Sequence, residues 1–109
     1  MTLFGRSLSM HASTVAVFAA VTLVASPRAQ AADIAKGEKA FMRVCATCHA
    51  PDALGADGPP LLPLKHGDEE FLQIARGGKD MMPALPAATI TDDEIRSVAL
   101  YLATIKAPQ

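Results

Sequence analysis

The segment from Gly37 to His49, GEKAFMRVCATCH, decides the fold, because it carries two thiols and an imidazole on one stretch of predicted helix. Side chains three and four residues apart share a helix face. Cys45, Cys48 and His49 have this spacing, so both thiols and the imidazole are expected to point the same way. Upstream, Gly37 and Phe41 extend an apolar face that recurs every three to four residues. The sequence therefore predicts an apolar helix that ends in three chemically active side chains.

The spacing Cys45-x-x-Cys48-His49 is the signature of covalent haem attachment. The two thiols would add to the haem vinyl groups, and His49 would ligate the iron from one side of the ring. A dithiol redox site is an alternative, but such sites need a βαβ context that this sequence does not predict. A zinc site would need further ligands, and the only histidine after the motif is His66. One covalent haem c with its iron is therefore the predicted cofactor.

The haem iron would need a second axial ligand or keep an open position. Met81 and Met82 stand in a polar, glycine-rich segment, where a methionine of the apolar core is not expected. Pro83 disfavours the helical region for Met82 and favours an extended approach to the iron. We predict Met82 as the distal iron ligand, with Met81 as the second choice. His66 is the rival ligand, and a bis-histidine iron would have a lower potential, because axial methionine raises it.

The first 31 residues differ in character from the rest of the chain. Met1 to Ser13 contains Arg6 as its only Lys or Arg, and Thr14 to Ala25 is almost wholly apolar. Ala29-Gln30-Ala31 then offers a small-x-small cleavage signal. The apolar run is shorter than the about 20 residues that a membrane-spanning helix needs. We therefore predict a cleaved signal peptide at residues 1–31 and export to the periplasm without stable membrane insertion; a retained membrane anchor is the alternative.

The remaining chain, residues 32–109, is predicted to form one domain. It contains eight basic and eleven acidic residues, a net charge of −3, whereas binding to nucleic acid calls for a basic patch. A domain of this size usually needs a disulfide, a metal or another staple. A disulfide between Cys45 and Cys48 would close almost no loop and stabilise little. A large apolar cofactor would complete the core instead.

Helical patterns account for the regular structure of this domain. Asp33 is a plausible N-cap for the first helix, and a short second helix is expected from Asp68 to Ala75. Thr91-x-x-Glu94 matches a capping box for a third helix from about Asp92 to Ile105. The connecting segments contain glycines and prolines, and no period-two strand is apparent. The sequence therefore predicts an all-α fold with long loops.

Taken together, these residues resemble the class I monohaem cytochromes c, over about Asp33 to Lys106. The resemblance rests on five features in order: Gly37-x-x-x-Phe41, Cys45-x-x-Cys48-His49, Gly58-Pro59-x-Leu61, Met82-Pro83, and a final helix that carries Tyr101-Leu102. It implies a small cytochrome c-like fold, with three main helices and long loops wrapped around one covalent haem.

The resemblance also implies roles for individual residues. Gly37 and Phe41 would pack against Tyr101 where the first and last helices cross. The carbonyl of Pro59 would accept a hydrogen bond from His49, the proximal iron ligand. The methionine before proline is the distal ligand in this family, and Met82 occupies that place.

An electron carrier, not an enzyme, is the function that these features predict, because filled axial positions leave no site for a substrate. The protein would pass single electrons from a donor redox protein to an acceptor, as its iron cycles between Fe(II) and Fe(III). It would act as a free monomer or as the cytochrome subunit of a periplasmic dehydrogenase or oxidase system. The alternative is a haem-based ligand sensor or peroxidase-like enzyme with an open or labile sixth position.

Overall fold

The computed structural model describes residues 16–23 and 27–109. Helices are the regular structure of these residues, and the loops between them are long. No β-strand forms within the described ranges, where an isolated bridge joins Lys79 to Met82. The protein is therefore all-α, as predicted. Its elements are α1 (Pro27–Ala40), a π-helical turn (Phe41–Cys45), α2 (Ala46–His49), α3 (Asp68–Gly77) and α4 (Asp92–Thr104).

Helix α1 begins at Pro27, six residues before the predicted N-cap at Asp33. Proline is favoured at the first helical position, because its fixed φ suits the helix and its missing N–H costs nothing there. The alanines that follow are strong helix formers. The predicted cleavage site after Ala31 therefore lies inside α1.

The rest of the predicted signal peptide is only partly described. Residues 1–15 and 24–26 lie outside the described ranges, and residues 16–23 have no regular structure and are exposed. Among the helices that the structure describes, none is long and apolar enough to cross a membrane.

The predicted first helix is interrupted by the π-helical turn at Phe41–Cys45. A π-turn closes i→i+5 hydrogen bonds and so takes up one residue more than an α-turn; here the N–H of Ala46 bonds to the carbonyl of Phe41. The added residue rotates the Cys45–His49 motif relative to α1. The motif therefore begins at a different angle around the helix axis than an uninterrupted α-helix would give it.

Helices α1 and α4 cross at very short range through Gly37. A Cβ atom built on Gly37 would lie 1.9 Å from the carbonyl oxygen of Ser97 and 3.0 Å from the Cβ of Tyr101. Only glycine permits this approach, because any larger residue would force the two helices apart. One turn further on, the rings of Phe41 and Tyr101 pack at a centroid distance of 5.8 Å and an angle of 49°, as expected from the resemblance.

The core lies between α1, α3 and α4. Phe41 is fully buried, and burying a large apolar side chain contributes about 2 kcal/mol. Leu72 and Ala75 of α3 are also buried, so this helix covers the same core. The remaining buried apolar side chains are Ala40, Ala53, Leu62, Ile90, Ile95, Val98, Ala99 and Leu102.

The capping box predicted for α4 is present. The side chain of Thr91 accepts a hydrogen bond from the backbone N–H of Glu94 at 3.1 Å. The Glu94 carboxylate accepts one from the N–H of Thr91 at 2.9 Å. Two N–H groups that the first helical turn leaves unpaired are thereby satisfied.

Candidate functional site

The imidazole of His49 is held in place from one side. His49 is buried, with 7% of its surface exposed, and its Nδ1 lies 2.8 Å from the carbonyl oxygen of Pro59. A carbonyl can only accept, so Nδ1 must donate its proton, and the lone pair of the neutral ring is on Nε2. Such a bond fixes the tautomer that a metal-ligating histidine needs.

A tightly folded loop, residues 50–61, brings Pro59 to His49. Its amides bond back to the end of α2, with Gly55 N–H on the His49 carbonyl at 2.9 Å and Gly58 N–H on the Cys48 carbonyl at 2.7 Å. A Cβ built on Gly58 would lie 3.0 Å from both Cε1 and Nδ1 of His49. The loop therefore closes against the ring, and a side chain at position 58 would press on it.

The two cysteines of the motif are free, without a disulfide between them. Cys48 is exposed and Cys45 is half-buried. Burial raises the pKa of the Cys45 thiol to about 11, although the positive charge of Arg43 opposes this shift. At neutral pH Cys45 is thus a thiol.

The second predicted ligand position lies on what we name the methionine loop, residues 78–86. Lys79 and Met82 exchange backbone hydrogen bonds of 3.1 and 2.8 Å, which folds residues 79–82 into a tight turn. Met81 is at the tip of this turn and is 96% exposed, whereas Met82 is half-buried. The two adjacent methionines thus differ in exposure: Met81 faces solvent, and Met82 is half-buried.

His66, the rival predicted ligand, is engaged elsewhere. Its Nδ1 lies 3.0 Å from Oε1 of Glu70, one turn along at the start of α3, and its side chain is partly exposed. Within the part of the chain that the structure describes, no group of three or more His, Cys, Asp or Glu side chains could hold a metal ion.

The residues around the motif suit a large apolar group with a central metal. Cys45 and Cys48 are free thiols, and the Pro59 bond leaves the Nε2 lone pair of His49 available as a ligand. Apolar side chains of the π-turn, α2, α3 and the long loops pack against the core yet stay partly uncovered, and an apolar ring against them would bury more of their surface. These side chains are Val44, Ala46, Leu61, Leu64, Phe71 and Leu85.

Sequence reasoning missed the residues that support the methionine loop. Gly78 has φ +76°, and a Cβ built on it would lie 2.8 Å from the carbonyl oxygen of Met82. Arg76 donates hydrogen bonds to the carbonyl of Leu85 at 2.9 Å and to the carboxylate of Asp92. The Gly77-Gly78 pair was a usable turn signal. Nothing in the sequence indicated the partners of Arg76, which are nine and sixteen residues away.

Comparison with known proteins identifies the family of this fold. Residues 32–102 match the family model described as cytochrome c oxidase, cbb3-type, subunit III. The chain is 34% identical over 87 residues to the 4-cresol dehydrogenase (hydroxylating) cytochrome c subunit of Pseudomonas putida. This match covers 79% of this chain and 75% of that one. It is 33% identical over 105 residues to cytochrome c6 of Thermostichus vulcanus, and this match covers 89% of this chain and 88% of that one.

A solved structure agrees with this grouping. The crystal structure of cytochrome CL from the marine methylotrophic bacterium Methylophaga aminisulfidivorans MPT has a TM-score of 0.56 to this chain at 27% identity. The match covers 69% of this chain and 54% of that one, so this protein spans about half of its length. By motif, fold and relatives, this chain belongs to the c-type cytochromes and is a small class I monohaem member of that family.

Proposed function

We propose that this protein is an exported electron carrier whose single covalent haem has histidine and methionine as axial ligands. The observation that carries the proposal is the bond between Nδ1 of His49 and the Pro59 carbonyl, directly beside two free cysteines. This arrangement supplies two attachment points and one oriented metal ligand within five consecutive residues. When bound, the haem supplies reversible one-electron chemistry at its iron.

Each residue of the motif has a separate task in this proposal. Cys45 and Cys48 hold the cofactor by thioether bonds, which prevent its loss from a small exported domain. His49 is the proximal ligand. The Pro59 carbonyl orients its ring and, by drawing on the Nδ1 proton, increases the donor strength of Nε2.

Met82 is the proposed distal ligand, and its surroundings favour it over Met81. Met82 is half-buried and its backbone is fixed by two hydrogen bonds to Lys79. Met81 is almost fully exposed at the tip of the same turn. A thioether ligand raises the potential relative to a second histidine, which suits a carrier. His66 is less suitable, because its ring already contacts Glu70.

The proposed partners are a donor and an acceptor redox protein in the periplasm. Residues 1–31 would act as the cleaved signal peptide, and their exposed apolar side chains at Val17, Phe18, Val21 and Leu23 contribute nothing to the core. One relative is named as the cytochrome subunit of a dehydrogenase and another as cytochrome c6. Both a dehydrogenase-bound subunit and a free monomeric carrier fit this chain.

The first experiment is to express the protein in a host that attaches haem c, then to extract it with acid and acetone. We expect the haem to stay with the protein, and the oxidised form to show the sulfur-to-iron charge-transfer band. Cys45→Ser/Cys48→Ser is the matched variant, and its haem should be extractable. Retained haem without that band would contradict methionine ligation and favour an open or histidine-bound sixth position. Absence of haem would contradict the proposal as a whole.

Paired variants of the two methionines test the distal ligand. Met82→Ala should lose the charge-transfer band, lower the reduction potential and allow carbon monoxide to bind the reduced protein, because the sixth position opens. Met81→Ala removes an exposed thioether from the neighbouring position and should leave all three readouts unchanged. If Met81→Ala abolished the band and Met82→Ala did not, the assignment would be reversed.

A further inference from the structure

The methionine loop folds back on itself and returns close to its own starting point. Beyond the turn at residues 79–82, the backbone passes Gly78 at short range. A Cβ built on Gly78 would lie 2.8 Å from the Met82 oxygen and 2.9 Å from the Ala84 nitrogen. The position of Met82 therefore depends on what holds the returning part of the loop, which lacks any helix or strand of its own.

Leu85 is the residue at which the returning segment is fixed. Its backbone N–H donates to the carbonyl of Ala75 at 2.8 Å. Its carbonyl accepts from Nη1 of Arg76 at 2.9 Å. Both backbone groups of Leu85 are thus bound by consecutive residues at the end of α3, three residues after Met82.

Arg76 also connects this anchor to α4. Its Nε donates to Oδ1 of Asp92 at 2.7 Å, and its Nη2 contacts the same oxygen. Asp92 is the first residue of α4, where a carboxylate is favoured by the helix dipole. The Arg76 side chain is mostly covered, with 24% of its surface exposed. One guanidinium group therefore ties together the end of α3, the methionine loop and the start of α4.

We propose that Arg76 is a positioning residue that keeps Met82 at the iron by fixing Leu85 and Asp92. This inference rests on the proposed distal ligation by Met82. Arg76 itself does not ligate the metal. Its role follows from its planar fork of donors, which can satisfy two acceptors in fixed directions at once. A lysine offers a single compact charge and cannot hold both acceptors in the same geometry.

Loss of this anchor should appear as easier opening of the methionine loop. Hydrogen bonds that involve a charged group are stronger than neutral ones. An added ligand such as imidazole can reach the iron only when Met82 leaves, so its affinity for the oxidised protein measures loop opening. In Arg76→Gln we expect imidazole to bind about tenfold more tightly. Arg76→Lys should give an intermediate increase, because it keeps the charge but loses the fork.

Arg96 provides a matched control. It also joins α3 to α4 by one ion pair, with Glu69 at 2.9 Å, and its hydrogen bonds go to Glu69 and not to the methionine loop. Arg96→Gln thus removes the same charge and a similar inter-helix bond. A second readout is amide hydrogen exchange at Met82 and Leu85, which should accelerate in Arg76→Gln and not in Arg96→Gln.

The outcomes separate this inference from the proposed function. Tighter imidazole binding and faster exchange in Arg76→Gln alone would support the positioning role. Equal behaviour of Arg76→Gln and Arg96→Gln, with Met82 ligation intact in the unmodified protein, would overturn it and leave the proposed function standing. Unmodified protein without the sulfur-to-iron band would overturn the methionine ligation and this inference with it.

Discussion

The two sides of the proposed haem site are built in different ways. On the proximal side, Cys45, Cys48 and His49 lie within five residues of one helical segment, and Pro59 follows ten residues later. On the distal side, Met82 lies 33 residues beyond His49, on a loop without regular structure. The proximal geometry follows from helix periodicity and a short loop. The distal geometry depends on the hydrogen bonds that α3 makes with the loop at Leu85 and on the link from Arg76 of α3 to Asp92 of α4.

The two sides of the site should also differ in how easily they open. A helix fixes its side chains by local backbone hydrogen bonds, whereas a loop is fixed only where other elements hold it. The distal side should therefore open first when the protein is perturbed, and the proximal side should persist. The covalent attachment proposed for Cys45 and Cys48 increases this difference in ease of opening, because it keeps the proximal ligand close to the iron.

The largest effect is expected where both sides depend on one contact. Gly37→Ala would place a methyl group 1.9 Å from the Ser97 carbonyl, so α1 and α4 would have to separate. We expect a loss of at least about 3 kcal/mol in the free energy of unfolding, the upper end of overpacking costs. Denaturant unfolding of the haem-loaded protein measures it.

Gly77→Ala is the matched control for this substitution. A Cβ at Gly77 meets nothing within 4 Å, so the change should be neutral or stabilise α3 by up to about 1 kcal/mol. A Gly37→Ala protein as stable as the unmodified one would contradict the close crossing of α1 and α4.

Two glycine substitutions should perturb the distal and the proximal side of the haem site one at a time. Gly78→Ala forces a side chain onto a residue with φ +76° and ψ 167°, a region nearly exclusive to glycine, at a cost of about 2 kcal/mol. Its methyl group would also press on the Met82 carbonyl. We expect the sulfur-to-iron band to weaken and carbon monoxide to bind the reduced protein.

Gly58→Ala should act on the proximal side and more weakly. Its methyl group would lie 3.0 Å from the His49 ring, so the ring or the loop must move by a few tenths of an ångström. We expect a changed reduction potential, because the Nδ1–Pro59 bond is disturbed, with the sulfur-to-iron band retained. Loss of that band in Gly58→Ala but not in Gly78→Ala would contradict the comparison.

The smallest effect on stability is expected from the capping box at the start of α4, which contains none of the proposed haem ligands. Hydrogen bonding to the Thr91 N–H and then to Arg43 lowers the pKa of Glu94. A depressed pKa means that the folded protein favours the carboxylate, so this stabilisation is complete above the ordinary pKa of about 4.3 and is lost as pH falls through the lower folded value.

Glu94→Gln should therefore lower the melting temperature at pH 7, and its difference from the unmodified protein should shrink in acid. The spectrum should not change. Glu38→Gln, at an exposed position of α1 outside the capping box, removes the same charge and is the matched charge control. A Glu94→Gln difference that persists unchanged below the folded pKa would argue against the capping-box charge as its source.

The sequence predicted α3 and α4 more closely than the first helix. Apolar periodicity and the Thr91-x-x-Glu94 box predicted α3 and α4 closely, because these signals are local. The start of α1 at Pro27 was missed, since Asp33 is a good cap but the preceding alanines also favour helix. The π-turn was missed because π-turns are rare single turns inside α-helices, and no residue pattern in this segment marks one.

The sequence by itself determined which reactive side chains are present and how they are spaced. These are two thiols and an imidazole at helical spacing, a proline nearby and a methionine before a proline. These depend on residue order over short distances, where backbone geometry allows few alternatives. The tertiary structure alone decided which methionine is covered and how the loop that carries it is held. Arg76, Leu85 and Asp92 meet only when α3 and α4 pack together, and no local pattern of residues specifies a contact of that kind.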